Sequence, residues 1–543
     1  MASLRVVTAT RAPLFPAAVR TPRGYTALYP YRYLLSQRRL FASSAGGDGG
    51  PGSAESRDRA AEESPPRKSL DSSASSTSSA SSSSASSKST STTSTSATPP
   101  SSPSSSPKPR KPPVRDWEDY RYTDISGFKD LPSRTFGANQ HMLINAELKA
   151  AFTHMLRSFR APIVFCFAYG SGVFPQGSAE RSITDEEFRA VYPMPPEPLL
   201  QTQKGNPKMI DFIFGVTHTE HWHWLNMRQH PDHYSGLRRL GSGAVAAVQE
   251  KIGAGVYFNP YVVVNGMLIK YGVTSINNLC HDLANWETLY LAGRLHKPVK
   301  ILRDNAAVRI ANQQNLVGAV RTALLMLPER FSEFDLFSTI SALSYLGDPR
   351  MSLPTENKSK VSNIVANNLV NFRRLYAPLI EKLPNVEYEG GFDPGSEDWL
   401  ESSRDHPLRQ DMDLMKRANM VRRLPSAFRS RLYFLYQGKF GMTRAEFMRQ
   451  MEESVDEDEH GFRRQQAGDF EMRIAGEGEG DLTAMVRQAI RESGRWVNTT
   501  QSAKGLLTAG FGKSARYMRE KMARYREGKK KASETEAEND EEK

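Results

Sequence analysis

Apolar residues recur with helical and strand periods mainly between about residues 116 and 390, and that alternation lays out the elements. Leu148, Phe152, Met155 and Leu156 stand at helical spacing and predict a helix over Asn145–Arg160, closed by Pro162. Phe165–Ala168 is apolar at strand length and breaks into Gly170-Ser171-Gly172. About forty residues later a second strand, Lys208–Val216, carries one carboxylate, Asp211, between Ile210 and Phe212. Within Val256–Thr274 the runs Tyr261–Val264 and Met267–Tyr271 flank Asn265-Gly266, which predicts a hairpin with a type I′ turn. Helices dominate His281–Ala323, interrupted by an extended Lys297–Leu302, and amphipathic helices follow over Phe331–Leu346 and Val361–Leu383. Near the end, Leu507, Phe511, Ala515, Met518, Met522 and Tyr525 fall on one helical face within 501–531.

Composition assigns the remainder. Residues 1–41 hold Arg5, Arg11, Arg20, Arg23, Arg32, Arg38 and Arg39 with no acid, and Arg39-Leu40-Phe41 precedes Ala42-Ser43-Ser44, the make-up of a mitochondrial transit peptide. Residues 42–115 are Ser, Thr, Pro and Gly with almost no large apolar side chain. Such a stretch cannot bury enough surface to offset its ordering entropy, so it reads as a disordered linker. Residues 177–206 contain Pro and acids and part the two strands further than a short link would, which reads as a surface insertion; 391–500 is a charged, low-order region, with a basic amphipathic patch over Met415–Met442 and an acidic run at 456–459. That leaves a two-part core, 116–300 and 301–390. Residues 532–543 form an acidic tail.

A net charge of +12 points to an anionic partner. The two cysteines, Cys166 and Cys280, lie in apolar or mixed segments and imply no disulfide framework. No run reaches the roughly 18 consecutive apolar residues of a membrane span. Between Lys513 and Lys531, nine Lys or Arg face two Glu, which with the apolar stripe suits a helix lying on an anionic bilayer: Leu507, Phe511, Met518 and Met522 inserted, Arg516 and Arg519 at the headgroups.

The candidate chemistry lies where the first strand meets its glycines. Gly170, Ser171 and Gly172 let backbone N–H groups and a hydroxyl approach anionic oxygens, and Asp211 among apolar neighbours calls for a cation. Lys270 projects from the hairpin beside them. His221 and His223 offer a zinc reading, but the intervening Trp222 and Trp224 favour an aromatic helix leading to Pro231.

A Gly-Ser turn followed by an aspartate-bearing strand resembles the nucleotidyltransferase superfamily of DNA polymerase beta and the poly(A) polymerases. The series Tyr169–Gln176, Met209–Phe212, Pro231–Ser235, Gly253–Pro260, Ile269–Val273 and Leu289–Pro298, in that order, resembles the mitochondrial phosphatidate cytidylyltransferases, also called translocator assembly and maintenance proteins, across about residues 120–385. The resemblance implies an α+β fold: a polymerase-beta-like domain with a smaller helical or winged-helix domain. It implies cytidylyl transfer from CTP to phosphatidic acid at the matrix side of the mitochondrial inner membrane, with Mg2+ as cofactor and no nucleic acid. Asp211 would hold the metal, Lys270 would offset charge growing on pyrophosphate, and Gly170–Gly172 would cradle phosphates. Tyr257, Asn259, Arg294 and Lys297 would contact substrate. The superfamily's second carboxylate is missing, since Met209 and Ile213 stand at the partner positions, and Asp232 is the substitute the motifs offer. Two other readings follow from the same features: a matrix-side assembly or tethering factor with no catalysis, and an RNA nucleotidyltransferase, which leaves the amphipathic tail without a purpose.

Overall fold

The computed structural model describes residues 116–174, 209–348, 359–390, 396–453, 466–510 and 512. The transit-peptide, linker, 177–206 insertion and acidic-tail readings lie outside the described residues, as do Phe511, Arg516, Met518, Arg519 and Met522.

The fold is mixed α+β. Five strands, β1 Phe165–Tyr169, β2 Ile210–Val216, β3 Tyr257–Val264, β4 Met267–Ser275 and β5 Lys300–Arg303, form one sheet in the order β3-β4-β2-β1-β5. β2 and β4 run parallel and every other pair antiparallel. The β3–β4 turn is as the sequence predicts: Asn265 and Gly266 have φ of 49° and 75°, the paired left-handed conformation of a type I′ turn.

Side chains alternate across the sheet, so each face takes its own cover. On one face α1 (Ala146–Arg157, capped by the Asn145 side chain) sets Phe152 edge-on to Phe212 at 5.4 Å. α2 (Thr219–Gln229) and α3 (Gly241–Lys251) extend that cover, with Trp222 against Phe214 and Tyr271. The opposite face meets α4 (Ile276–Asn285), whose Ile276 lies over Gly215. Behind α4 runs α6 (Ala306–Leu324), buried along nearly its whole length, after the short α5 (Ala292–Leu295).

The two-part division drawn from composition does not hold. A boundary at residue 300 cuts through β5, whose Phe167↔Ile301 and Ala168↔Lys300 pairings make it an edge of the main sheet. Beyond it, α7 (Glu333–Leu346), α8 (Lys360–Ala366) and α9 (Leu369–Ile380) join the same continuous hydrophobic core. The helix predicted over Val361–Leu383 is two helices, parted at Asn367–Asn368.

The low-order reading of 391–500 is also corrected. This region carries α10 (Glu397–Glu401), β8 (Pro407–Gln410) between β6 (Arg330–Ser332) and β7 (Val386–Tyr388), then α11 (Leu414–Arg422), α12 (Ser426–Lys439), α13 (Arg444–Glu453), α14 (Asp469–Ala475) and α15 (Glu479–Ala509). The helices mix a few core-facing apolar side chains with many charges, so average composition hides them. Phe428, Leu432, Tyr436, Ile474, Val486 and Ile490 are among those fully buried. A buried ion pair supports the small sheet: Arg373 meets Glu333 at 2.7 Å and donates to the carbonyls of Trp399, Leu400, Ser402 and Arg404. A guanidinium so buried is tolerable because its donors are all engaged.

α15 ends at Gly510, whose φ is +78°. Its last turns dock on the protein by a polar stripe, Gln501, Lys504 and Thr508, and Lys504 Nζ donates to the carbonyls of Gln249 and Ile252. Burial holds that ammonium down to about 7. The separate membrane segment proposed from residue 501 therefore does not begin there; Leu506 and Leu507 remain exposed on the helix's outer side.

Candidate active site

The sheet register puts three functional side chains in one row: Tyr169 pairs with Asp211 and Asp211 with Lys270, so phenol, carboxylate and ammonium stand side by side on the α4 face. Lys270 Nζ donates to Asp211 Oδ1 at 2.8 Å and lies 4.9 Å over the Phe258 ring. Burial opposes the lysine's charge, but the carboxylate and the phenols of Tyr169 and Tyr290 outweigh it and raise the pKa above the ordinary range.

β1 leaves this row through the glycine turn, where Val173 and Phe174 N–H both return to the Gly170 carbonyl. Gly170 has φ of +82°, and a Cβ there would sit 3.6 Å from Asp211 Oδ2. The turn keeps the backbone beside the carboxylate. Gly172 acts differently. It packs against the second strand, where a Cβ would come within 3.1 Å of the Met209 carbonyl and 3.2 Å of Ile210 Cα, so it brings the two strands together and does not line the pocket.

A second group of cations arrives on the loop 286–294. The buried Asp282 carboxylate accepts from the backbone N–H of Thr288, Leu289, Leu291 and Ala292 and from the Thr288 hydroxyl. That network holds Trp286 and Leu289 at positive φ and aims Arg294 at the sheet row. The Arg294 guanidinium lies 3.8 Å over Tyr290, and Nε reaches the Tyr169 hydroxyl at 3.4 Å. Lys297 follows one turn later. Its Nζ donates to the Gly293 carbonyl at 2.6 Å and Ser344 Oγ at 2.7 Å, with the Tyr345 ring 4.9 Å away. Burial, then Arg294 and Lys360, push its pKa down to about 7.

These elements enclose a cavity of about 290 Å³. Among the described residues, Lys270, Arg294, Lys297 and Lys360 line it with two acids, Asp211 and Asp348, a cationic excess that suits a polyphosphate. The far wall is Ile364 and Asn368 with Ile490, Gly494 and Asn498 of α15. The sequence reading brings Gly170, Ser171, Asp211, Lys270, Arg294 and Lys297 to this pocket. It missed Tyr169 as a functional group, the positioning residue Asp282, and Asp348, Lys360, Asn368 and Asn498, which come from distant helices without a local motif.

Three predicted site residues lie elsewhere. Tyr257, Asn259 and Asp232 sit on or near the opposite face of the sheet; the Tyr257 ring is 5.2 Å from that of His223, and Asn259 is the cross-strand partner of Tyr271. Asp232 therefore does not supply a second carboxylate beside Asp211. His223 hydrogen-bonds Tyr234 and Gln249, and burial lowers its pKa to about 4. It belongs to the packed α2 helix.

A magnesium ion fits the donor set beside Gly170. With Oδ1 paired to Lys270, Asp211 keeps Oδ2 at the pocket, and Mg2+ is commonly held by one or two carboxylates together with substrate phosphates and waters.

A family model described as "Phosphatidate cytidylyltransferase, mitochondrial" matches residues 152–524. The chain belongs to this family. The match extends beyond the segment carrying the motifs and takes in α10–α15, in keeping with their place in the core. Proteins bearing the family's name include one from Xenopus laevis, 36% identical over 376 residues, 68% of this chain and 93% of the frog protein. Those from Schizosaccharomyces pombe and Saccharomyces cerevisiae are 44% and 42% identical over 46% and 47% of this chain, which spans 58% and 61% of their lengths.

Proposed function

We propose that this member of the family transfers a cytidylyl group from CTP to phosphatidic acid, yielding CDP-diacylglycerol and pyrophosphate. The observation that carries the reading is the row Tyr169–Asp211–Lys270 facing Arg294, Lys297 and Lys360 across one cavity. A nucleotidyltransferase fold is supported by the glycine turn placed against an aspartate on the adjoining strand. The names of the relatives support the substrates.

The acceptor, a phosphate oxygen, is already anionic, so the site has little need of a strong base and works mainly by alignment and charge neutralisation. Lys270 and Arg294 would bind and orient the triphosphate and offset charge on the departing pyrophosphate. Lys297, anchored by Gly293 and Ser344, would present its remaining N–H to a phosphate. The Gly170–Ser171 turn would supply donors at the carboxylate. Asp211 would hold Mg2+, which when bound withdraws charge from phosphate oxygens.

The peripheral inner-membrane location on the matrix side rests on the relatives' mitochondrial names, on the absence among the described residues of a helix long and apolar enough to cross a membrane, and on the basic, apolar-striped composition beyond Gly512. A purely tethering role is not favoured, because it gives no reason for four cations and a carboxylate to converge in a cavity.

The decisive assay offers the purified protein each of four nucleoside triphosphates with Mg2+ and phosphatidate-containing liposomes, and follows pyrophosphate. Release with CTP that depends on phosphatidate is expected; none, or equal release without lipid, refutes the reading.

Lys297 gives a pH test. With a pKa of about 7 in the protein alone, it is mostly neutral at pH 8, and a bound phosphate restores its charge. Nucleotide binding at pH 8 should take up close to one proton per site, visible as a calorimetric enthalpy that varies with the buffer's ionisation heat. Affinity should fall as pH rises from 7 to 9, and Lys297→Met should abolish the uptake. A buffer-independent enthalpy in the parent protein would place the lysine away from phosphate.

A further inference from the structure

We infer that the 3-10 turn Gly236–Leu240 is a second contact with the bilayer, a cationic wedge on the folded body beside the root of the C-terminal tail. The inference rests on the peripheral membrane location proposed above and adds to it a surface of the body itself.

The turn presents its tip outward. Leu237 packs inward against the small cluster of Tyr234, Val245 and Tyr257, while Arg238, Arg239 and Leu240 are exposed, Leu240 at 72%. Gly241, at φ +87°, then turns the chain from the tip into α3. Neither guanidinium has an ion-pair or hydrogen-bond partner among the described residues. Two such cations around an exposed leucine suit an anionic lipid surface: the charges meet headgroup phosphates, and the aliphatic side chain enters the boundary beneath them.

The tip is fixed to the helix that leads to the tail. Ser235 caps the turn by accepting from the Leu237 N–H at 3.4 Å, and the same hydroxyl donates to the Leu507 carbonyl at 3.0 Å. Gly510 lies against Ser235 too, since a Cβ on it would stand 3.5 Å from Ser235 Cβ. α15 therefore stays docked and offers its outer side at this junction, where Leu506 and Leu507 are exposed, with Trp496 and Ala503 preceding Leu507 on one stripe at helical spacing.

Charge identifies the occupant as lipid. The stretches His233–Gln249 and Ser493–Arg519 hold two and five Lys or Arg and no acid, and the acceptor proposed for the reaction is itself an anionic bilayer lipid. Contact by the turn makes contact by the tail intramolecular, and the reverse, so the pair strengthens binding and sets how the body sits on the surface.

The test uses the full chain carrying Leu240→Cys, labelled with a polarity-sensitive fluorophore; the native Cys166 and Cys280 are buried, which directs the label to residue 240. On vesicles of phosphatidylcholine with about a third phosphatidylglycerol the emission should shift to the blue. The same label at Leu143→Cys should not shift, since that exposed residue lies by β5, at the sheet edge away from β3 and the turn. Arg238→Ala with Arg239→Ala should weaken vesicle binding by about 30-fold at low salt, from about 5-fold per cation near the surface, and leave activity on a short-chain soluble phosphatidate unchanged. An unshifted label on vesicle-bound protein, or unchanged vesicle affinity of the double variant, would overturn the wedge while leaving the peripheral location standing. A shift that appears without vesicles and grows with protein concentration would overturn it in favour of a second copy of the chain. If the parent protein fails to bind the vesicles at all, the peripheral location falls and the wedge with it.

Discussion

Replacing Asp211 by Asn should reduce pyrophosphate release by at least about 1000-fold, roughly 4 kcal/mol of lost transition-state stabilisation, with the fold retained. The substitution keeps volume and hydrogen bonding but removes the charge that holds both Lys270 and the proposed metal. The side chain lies at the pocket margin, about a quarter exposed, so its charge contributes little to the core and the melting temperature should move by only a few degrees. Steady-state pyrophosphate assays on CTP and phosphatidate, with circular dichroism as the folding control, measure both. A variant keeping a tenth of the parent rate would remove Asp211 from the mechanism. Asp232→Ala in the same assay should retain most activity, because that carboxylate faces away from the pocket.

Truncation after Gly478 should abolish folding as well as activity, whereas truncation after Gly512 should spare the catalytic unit. The first cut removes α15, and with it Leu482, Val486, Ala489 and Ile490, all fully buried. Burying an aliphatic side chain larger than alanine contributes about 1.5–3 kcal/mol, so losing Leu482, Val486 and Ile490 together rivals the 5–15 kcal/mol of a whole domain's stability. It also takes away Gly494 and Asn498 of the pocket wall and the Gln501 contacts to Ala254 and Val256. The second cut leaves all of these in place. With the shorter truncation, pyrophosphate release on a short-chain soluble phosphatidate should continue, while binding to anionic liposomes and activity on bilayer phosphatidate should both fall. Binding through the basic tail should also weaken as salt rises toward 0.5 M, where screening shortens to a few ångströms. Soluble, cooperative unfolding of the Gly478 truncation would mean that α15 is dispensable to the core.

Local chemistry alone determined much of the catalytic sheet. The apolar runs of strand length, the Asn265-Gly266 turn and the Asn145 cap act over a few residues, so β1–β4 and α1 were legible before any tertiary contact was known. Asp211, Lys270 and the Gly170 turn were legible too, because a carboxylate in an apolar strand and glycines after one are costly unless they serve a site. Other features depended on contacts distant in sequence. Residues 391–500 look low in order because each helix spends only a few side chains on burial; what orders them is the core they meet, as in the 5.4 Å contact of Phe428 with Trp286. Strand register decided the site's membership. Lys270 and Tyr271 are neighbours in the chain, yet pleating sends one to the pocket and the other to the opposite face, and it takes Tyr257 and Asn259 with the latter. Lys360, Asp348 and Asn498 carry no local signature, since only the packing of α7, α8 and α15 around the loop held by Asp282 brings them to the cavity.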